Sequence, residues 1–196
     1  LARQWESGAV FKRYVFASRQ KPKKEAWRCE CAIDGKTAAT EFKLLDREGD
    51  FFRIEARPQT GRTHQVRIHA AAAHVPVVGD RQHGQATDDW PLLLHAAELR
   101  CTAPGHPSGI VLTAPLPDTF SARSSAEAWW LRAGHLREAM TPGGEAVRWI
   151  HGAVDGFSGQ VVEQYADAWL VMNFSANPAQ GVQPFLKGRP VVFKRY

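Results

Sequence analysis

The sequence has little that would place it in a membrane or in a secretory pathway. Its 196 residues contain no run of about 18 apolar residues, the length that a membrane-spanning helix needs. The first residues lack the charged start and apolar stretch of a signal peptide. The chain begins with Leu1 instead of Met, which indicates processing or an origin in something longer. Three cysteines are too few for a disulfide framework, so we expect a reducing, cytoplasmic environment.

Sequence patterns for metal ions and nucleotide cofactors are also missing. His64, His69 and His74 are spaced by five residues, whereas ligands on one helical face lie three or four residues apart. Cys29 and Cys31 place both sulfurs on one face of a predicted strand, but no second cysteine pair accompanies them. The glycine-rich segment GAVDGFSG lacks the spacing of a dinucleotide-binding loop. We therefore expect neither a metal ion nor a cofactor.

Acidic residues are scarce at both ends of the chain. Residues 1–28 carry eight lysines and arginines against two glutamates, and residues 168–196 carry four basic residues and no acidic one. The net charge is +5 and the isoelectric point is about 9.3. Such clusters favour a polyanionic partner, usually a nucleic acid, although charge that serves only solubility is the alternative.

Hydrophobic periodicity predicts an α+β fold. Apolar and polar residues alternate, as in strands, over residues 10–18, 26–34, 37–48, 50–58, 91–101 and 108–117. Asp34–Gly35 marks a hairpin turn, and the segment VPVVGD is typical of a short strand and turn. Val66, Ala70 and Ala73 recur with helical spacing, which predicts a helix over residues 63–74. The expected architecture is a mixed, largely antiparallel sheet with this helix packed on it.

The character of the sequence changes near Ser121. Residues 121–140 predict a helix whose apolar anchors are Trp129, Trp130 and Leu136, and the segment TPGG ends it. A strand, a glycine-rich turn and two further strands follow. We therefore expect two domains, residues 1–121 and a small C-terminal α/β module over residues 122–196.

The segment RPQTGRTHQVRIHA concentrates basic side chains at the predicted helix. Arg62 lies at the helix start, where free backbone N–H groups already favour an anion. Arg67 is flanked by Val66 and Ile68, so it points partly into the protein and needs a carboxylate or phosphate partner. The alternative is an ordinary basic amphipathic helix with a structural ion pair.

Four segments in order carry a resemblance to a known family. FKRYVFA, TAATEFKLL, RPQTGRTHQVRIHAAAAHVPVVGD and LLLHAAELRCTAPGHPSGIVLTAPLPDTF together resemble the C-terminal two-thirds of the catalytic domain of RluA-type RNA pseudouridine synthases, over about residues 1–120. The resemblance implies the pseudouridine synthase sheet, incomplete at its N-terminus, and isomerisation of uridine to pseudouridine in rRNA or tRNA. It also implies an RNA partner, no cofactor and a monomer.

The resemblance also implies roles for individual residues. Arg67 is expected to face the catalytic aspartate and lower its pKa, and Tyr14 to stack against a flipped uracil. The residues expected to contact the substrate or the RNA are Lys12, Arg62, His64, Gln65 and Val66.

The catalytic aspartate of the family has no counterpart in this sequence. It belongs to a GRLD-x-x-TSG element that precedes the tyrosine strand, and only thirteen residues precede Tyr14. Asp34 follows Tyr14 and is interpreted as a turn residue. We therefore expect Arg67 to lack its carboxylate partner and this chain alone to be inactive. The pocket edge also differs, because His74–Val75 and His83–Gly84 replace the family's glycine and Tyr-Gly.

A second resemblance covers about residues 145–174. VRWIHGAVDGFSGQVVEQYADAWLV is similar to an element in the small β-rich domain of RlmI-type rRNA cytosine methyltransferases. The residues that carry it are Asp155, Gly156, Gly159, Tyr165 and Asp167. A simple β-hairpin with a glycine-rich turn is the alternative, and S-adenosylmethionine is implied only if a methyltransferase domain follows. Two functions thus remain beside the synthase: a non-catalytic RNA-binding module, and the RNA-guiding part of a methyltransferase.

Overall fold

The alternating segments of the first half form an antiparallel sheet in a computed structural model. Its strands are β1 (Phe11–Ser18), β2 (Ala26–Cys29), β3 (Thr40–Glu48), β4 (Phe51–Pro58), β5 (Leu94–Ala103) and β6 (His106–Thr113). The structure describes residues 10–84, 86, 89–103, 106–140, 146–151, 155, 157, 160–165, 168–174, 182–186, 188 and 190–195. Within these residues the sheet order is β2-β3-β4-β1-β5-β6, and every neighbouring pair is antiparallel. The expected largely antiparallel sheet is confirmed.

The chain divides into two units. One comprises residues 1–88 and 92–121, and the other comprises residues 89–91 and 122–196. Residues 89–91 join the second unit although they lie far from it in sequence. One contact there is a hydrogen bond from the Trp129 indole N–H to the carbonyl of Asp89, 2.7 Å long.

The Asp34–Gly35 hairpin forms where its sequence predicts it. Ile33 and Lys36 exchange two backbone hydrogen bonds of 2.9 Å, and the two turn residues have φ angles of 50° and 70°. These left-handed angles are those of a type I′ turn, which an Asp-Gly pair accommodates well. Asp34 is thus a turn residue, as expected. Strand β2 ends at Cys29, earlier than the alternation over residues 26–34 suggests.

The segment VPVVGD forms the turn that the sequence predicts but not the short strand, so the strand part of that prediction is wrong. Val78 donates one backbone hydrogen bond to Ala17 and accepts one from Leu93, both about 3 Å, and the chain then turns at Asp80. Pro76 has no N–H to donate, which limits ladder pairing here. The segment therefore crosses the end of β1 instead of extending the sheet.

Helix α1 (Gln65–Ala72) packs on one face of the first sheet. Its Val66 and Ala70 join a core that includes Phe16 and Ile54, both fully buried. Burial of a side chain of that size stabilises the fold by about 1.5–3 kcal/mol. The helix starts two residues later than predicted because His64 has a left-handed backbone, with φ 54°.

The C-terminal end of α1 closes in a Schellman motif. His74 N–H donates to the carbonyl of Ala71 and Val75 N–H to that of Ala70, each over 3.0 Å. This pattern requires a left-handed residue after the helix, and His74 has φ 59°. Glycine is the usual residue at such a position, because a β-carbon strains a left-handed backbone.

The second unit pairs a helix with a smaller sheet. Helix α2 (Ser125–Met140) accompanies strands β7 (Ala146–His151), β8 (Gln160–Tyr165), β9 (Ala168–Asn173) and β10 (Val191–Arg195). Among the described strands the order is β10-β9-β8-β7, with β10 parallel to β9 and the other pairs antiparallel.

Aromatic rings fill the core of the second unit. Trp130 stacks on Phe185 and on Trp149, with ring centroids 5.1 and 6.0 Å apart. Leu136, predicted as an apolar anchor of α2, is 40% exposed, so that prediction is wrong; the small Ala133 takes the buried position. No helix within the described residues is long and apolar enough to cross a membrane.

Helix α2 begins four residues later than predicted because its first turn is capped. The Ser124 hydroxyl accepts a hydrogen bond from the backbone N–H of Glu127, and the Glu127 carboxylate accepts one from that of Arg123. These bonds resemble a capping box and fix the helix start. Residues Asp118–Ser121 form a separate short 3₁₀ turn.

Replacing His74 by glycine should stabilise the first unit. Glycine adopts the left-handed conformation without strain, so His74→Gly should raise the free energy of unfolding by about 0.5–1 kcal/mol. Native-state hydrogen exchange of the α1 amides measures this within one unit of a two-unit chain. His74→Val is the matched control, because a β-branched residue should destabilise the same position. Equal stabilities for the two variants would contradict the assignment.

Candidate functional site

The seven side chains expected to form a site line one pocket of about 220 Å³ in the first unit. They come from β1, from the loop before α1 and from the first turn of α1. The described lining residues are Lys12, Tyr14, Pro58, Thr60, Gly61, Arg62, His64, Gln65, Val66, Arg67 and Leu94. Three of these lining residues are lysine or arginine, namely Lys12, Arg62 and Arg67, and none is acidic.

Lys12 and Tyr14 face the pocket because they lie two apart on β1, where alternate side chains share a face. The Lys12 ammonium donates a 3.0 Å hydrogen bond to the carbonyl of Thr60. Burial lowers the pKa of Lys12 below its ordinary value. The hydrogen bond from Lys12 links β1 to the loop before α1 and places the Lys12 side chain at the pocket.

Tyr14 forms part of the pocket wall. Its ring packs against the core beside α1, and burial raises the pKa of its phenol. Within the described residues its hydroxyl makes no hydrogen bond. A partly buried aromatic ring with an unengaged polar end is suited to stacking against a planar group.

The Gln65 amide is fully engaged inside the protein. Its oxygen accepts hydrogen bonds from the Thr60 hydroxyl, 2.6 Å, and from the backbone N–H of Arg62, 3.0 Å. Its nitrogen donates to the carbonyl of Ala39, 2.9 Å, and to the Thr40 hydroxyl, 3.0 Å. Gln65 therefore shapes the pocket loop through its side chain, and its expected contact with RNA stays a prediction.

A buried histidine that sequence reasoning missed continues this network. His69 is fully buried one turn after Gln65, with Nδ1 2.9 Å from the Thr40 hydroxyl and Nε2 2.9 Å from the carbonyl of Cys31. Because a carbonyl only accepts, Nε2 carries the proton and donates. The signal in the sequence was the i, i+4 spacing of two polar residues on the apolar face of α1.

Arg67 has a carboxylate partner within the chain, contrary to expectation. Its Nε and Nη2 donate to the two Asp80 carboxylate oxygens over 3.0 and 2.6 Å, a bidentate pair. The Asp80 side chain is fully buried and that of Arg67 is 15% exposed. Asp80 ends the segment VPVVGD, which was interpreted as a short strand and turn without a partner for Asp80, so the pairing was not foreseen.

The environment of Asp80 keeps it ionised. Burial acts to raise its pKa, but hydrogen bonds from Arg67 and from the backbone N–H groups of His83 and Gln82 outweigh it, so the pKa lies below its usual range. The same hydrogen bonds with Asp80 raise the pKa of Arg67. The pair is therefore a fixed ionic anchor between α1 and the Asp80 turn.

Arg62 and His64 lie on the open side of the pocket. Arg62 Nε donates to the carbonyl of Thr37 over 3.2 Å, and its Nη groups have no partner among the described residues. His64 Nδ1 lies 3.0 Å from His83 Nε2. No cluster of three metal-ligand side chains occurs in the part of the chain that the structure describes. The site is an electropositive pocket suited to an anionic, planar ligand.

Comparison with known proteins points to one family for the first unit. Residues 2–72 match the RNA pseudouridylate synthase family. An uncharacterized RNA pseudouridine synthase of Chloroflexus aurantiacus is 40% identical over 87 residues, which cover 43% of this chain and 28% of that protein. The dual-specificity RNA pseudouridine synthase RluA of Escherichia coli is 37% identical over 89 residues, which cover 43% of this chain and 41% of RluA.

A solved structure resembles the fold as well. Human RNA pseudouridylate synthase domain containing 1 superimposes with a TM-score of 0.52 and 26% identity over 58% of each chain. The expected α+β sheet of the pseudouridine synthase type is thus confirmed. The chain spans less than half the length of the two curated relatives.

Removing the charge of Asp80 should destabilise the first unit strongly. Asp80→Asn keeps the size of the side chain but leaves the Arg67 guanidinium without its counter-ion, at a cost of about 3 kcal/mol in hydrogen-exchange stability of α1. Asp46→Asn is the matched control, because it breaks the more exposed Asp46–Arg53 pair and should cost less than about 1 kcal/mol. Equal losses would show that the Arg67–Asp80 pair is not an anchor.

The contribution of Asp80 should also depend on pH in one direction. Its folded pKa lies below the ordinary value of 3.8, so its stabilising effect is present above that pH and disappears as the pH falls through the folded pKa. The stability difference between the unmodified chain and Asp80→Asn should be constant from about pH 5 to pH 7 and shrink below about pH 4. A difference that grows on acidification would reverse the assigned sign.

Proposed function

We propose that the first unit is the uridine-binding part of an enzyme that isomerises uridine to pseudouridine in rRNA or tRNA. The observation that carries the proposal is the convergence of the seven expected residues on one electropositive pocket. The family match over residues 2–72 supports the same reaction. The reaction breaks the bond between the ribose and N1 of uracil, turns the base and joins the ribose to C5.

The pocket provides groups that would bind the uracil base and the phosphates of the RNA backbone. We assign Tyr14 to stacking against the flipped uracil and Val66 to the apolar contact beside it. Lys12 and Arg62 supply positive charge for the RNA backbone, and His64 lies at the same open side. Arg67 is the residue that would hold a catalytic carboxylate in its ionised form.

The isomerisation can be followed by the hydrogen that it must release. Joining the ribose to C5 expels the C5 proton, so RNA labelled with tritium at C5 of uridine releases label as pseudouridine forms. Tyr14→Leu keeps an apolar side chain in the core but removes the stacking ring. We expect it to weaken RNA binding by about 1–3 kcal/mol and to reduce release accordingly. RNA binding is measured on this chain, and tritium release on the longest natural form that contains it.

Two further variants make this experiment decisive. Arg67→Lys retains a charge next to Asp80 but loses the bidentate geometry, and it should reduce tritium release more than RNA binding. Lys23→Gln removes an exposed charge in the β1–β2 loop and should leave both unchanged. Full tritium release by both Tyr14→Leu and Arg67→Lys would show that this pocket is not where the uridine reacts.

The remaining expectations stay predictions. For residues 145–174 we propose an accessory module of an rRNA cytosine methyltransferase, supported by the sequence resemblance alone. Gly156, Gly159 and Asp167 lie outside the described residues, and S-adenosylmethionine would require a further domain. A glycine-rich methyl-donor loop in sequence beyond Tyr196 would support this assignment. A cytoplasmic location and a monomeric state are likewise proposed from the sequence.

A further inference from the structure

Two thiols lie side by side at the end of strand β2. The Sγ atoms of Cys29 and Cys31 are 3.5 Å apart, with the Cys29 thiol donating toward the Cys31 sulfur. Cys29 is buried and Cys31 is exposed, and both are free. A disulfide has a sulfur–sulfur distance of about 2.05 Å, so the two atoms need to approach by about 1.5 Å. Residues 30–32 lie outside the regular strand, where the backbone can make that adjustment.

The backbone of Cys31 is connected to the candidate pocket. The carbonyl of Cys31 accepts the hydrogen bond from Nε2 of buried His69, whose Nδ1 contacts the Thr40 hydroxyl. The same hydroxyl accepts from the Gln65 amide, which in turn holds Thr60 and the N–H of Arg62. A continuous hydrogen-bonded path thus runs from the thiol pair to the loop that lines the pocket.

We propose that Cys29 and Cys31 are a dithiol redox site, oxidised by a peroxide to an intramolecular disulfide that loosens the loop over residues 59–64. Closing the disulfide pulls Cys31 toward Cys29 and displaces its carbonyl from His69. A buried imidazole N–H that loses its acceptor is costly, so the path from His69 to Gln65 rearranges. The consequence for RNA depends on the proposed function, whereas the disulfide and the loop response do not.

The chemistry is balanced with one peroxide as oxidant. The exposed Cys31 sulfur attacks the peroxide, so that a sulfur–oxygen bond forms, the oxygen–oxygen bond breaks and the first water leaves with the thiol proton. The Cys29 sulfur then attacks the sulfenic acid, so that the sulfur–sulfur bond forms, the sulfur–oxygen bond breaks and the second water leaves. Two thiols are oxidised and one peroxide is reduced. Because Cys29 is buried and Cys31 is exposed, peroxide reaches Cys31 first, and Cys29 is the neighbouring thiol that resolves the sulfenic acid.

The disulfide is tested by mass and by thiol count. After one equivalent of hydrogen peroxide, the unmodified chain should lose two hydrogen atoms in mass and two of its three alkylatable thiols, and dithiothreitol should restore both. Cys101→Ser is the matched control and should still form the bond, whereas Cys31→Ser and Cys29→Ser should not. Oxidation of Cys31 to sulfinic acid, or disulfides only between chains, would overturn the proposal.

The loop response is tested on the same samples by amide hydrogen exchange. In the oxidised chain and in oxidised Cys101→Ser, exchange over residues 59–66 should become roughly threefold faster or more, while peroxide-treated Cys31→Ser should match its reduced form. A disulfide with unchanged exchange would overturn the coupling. A responsive loop in a protein that forms no pseudouridine would instead overturn only the proposed function.

Discussion

The pocket depends on one buried amide. Gln65, in the first turn of α1, is only 4% exposed, and its four hydrogen bonds reach the start of β3 and the loop at Thr60 and Arg62. A buried polar group that loses a partner costs about 1–3 kcal/mol. A displacement of β3, of the loop or of α1 therefore destabilises the other two segments as well. The locations of Arg62 and Arg67 follow from this constraint, because the loop and the helix that carry them are joined by the amide.

The charge at the pocket depends on whether each basic side chain is paired with a carboxylate or with a backbone carbonyl. On the opposite face of β1, Arg13 meets the carboxylates of Glu98 and Glu55 at 3.0 and 3.7 Å, so its charge is compensated. On the pocket side, Arg62 Nε donates to the carbonyl of Thr37, and its Nη groups have no partner among the described residues. A carbonyl accepts the hydrogen bond without cancelling the charge, so the Arg62 guanidinium can attract an anion at the open side of the pocket.

The sequence predicted local features well and long-range partners poorly. The Asp34–Gly35 turn follows from its residue types and forms as predicted. Lys12 and Tyr14 were assigned to the site through the family resemblance, and both line the pocket. The Arg67–Asp80 pair was missed because thirteen residues separate its members, and the turn predicted in VPVVGD does not reveal which side chain Asp80 reaches. His69 was missed for a related reason. A helical period identifies a buried position, but only the neighbouring strands decide which carbonyl lies within reach of the imidazole.

The partner found for Arg67 narrows which group can act as a nucleophile in the proposed reaction. Asp80 is buried and accepts four hydrogen bonds, two from Arg67 and two from backbone N–H groups, so it has little capacity to attack a ribose carbon. The N–H donors of Arg67 are not all engaged. An arginine has five N–H donors, and within the described residues its Nη1 pair makes no hydrogen bond. One edge of the guanidinium therefore anchors the fold through Asp80, which leaves Nη1 as the donor for a second, reactive carboxylate.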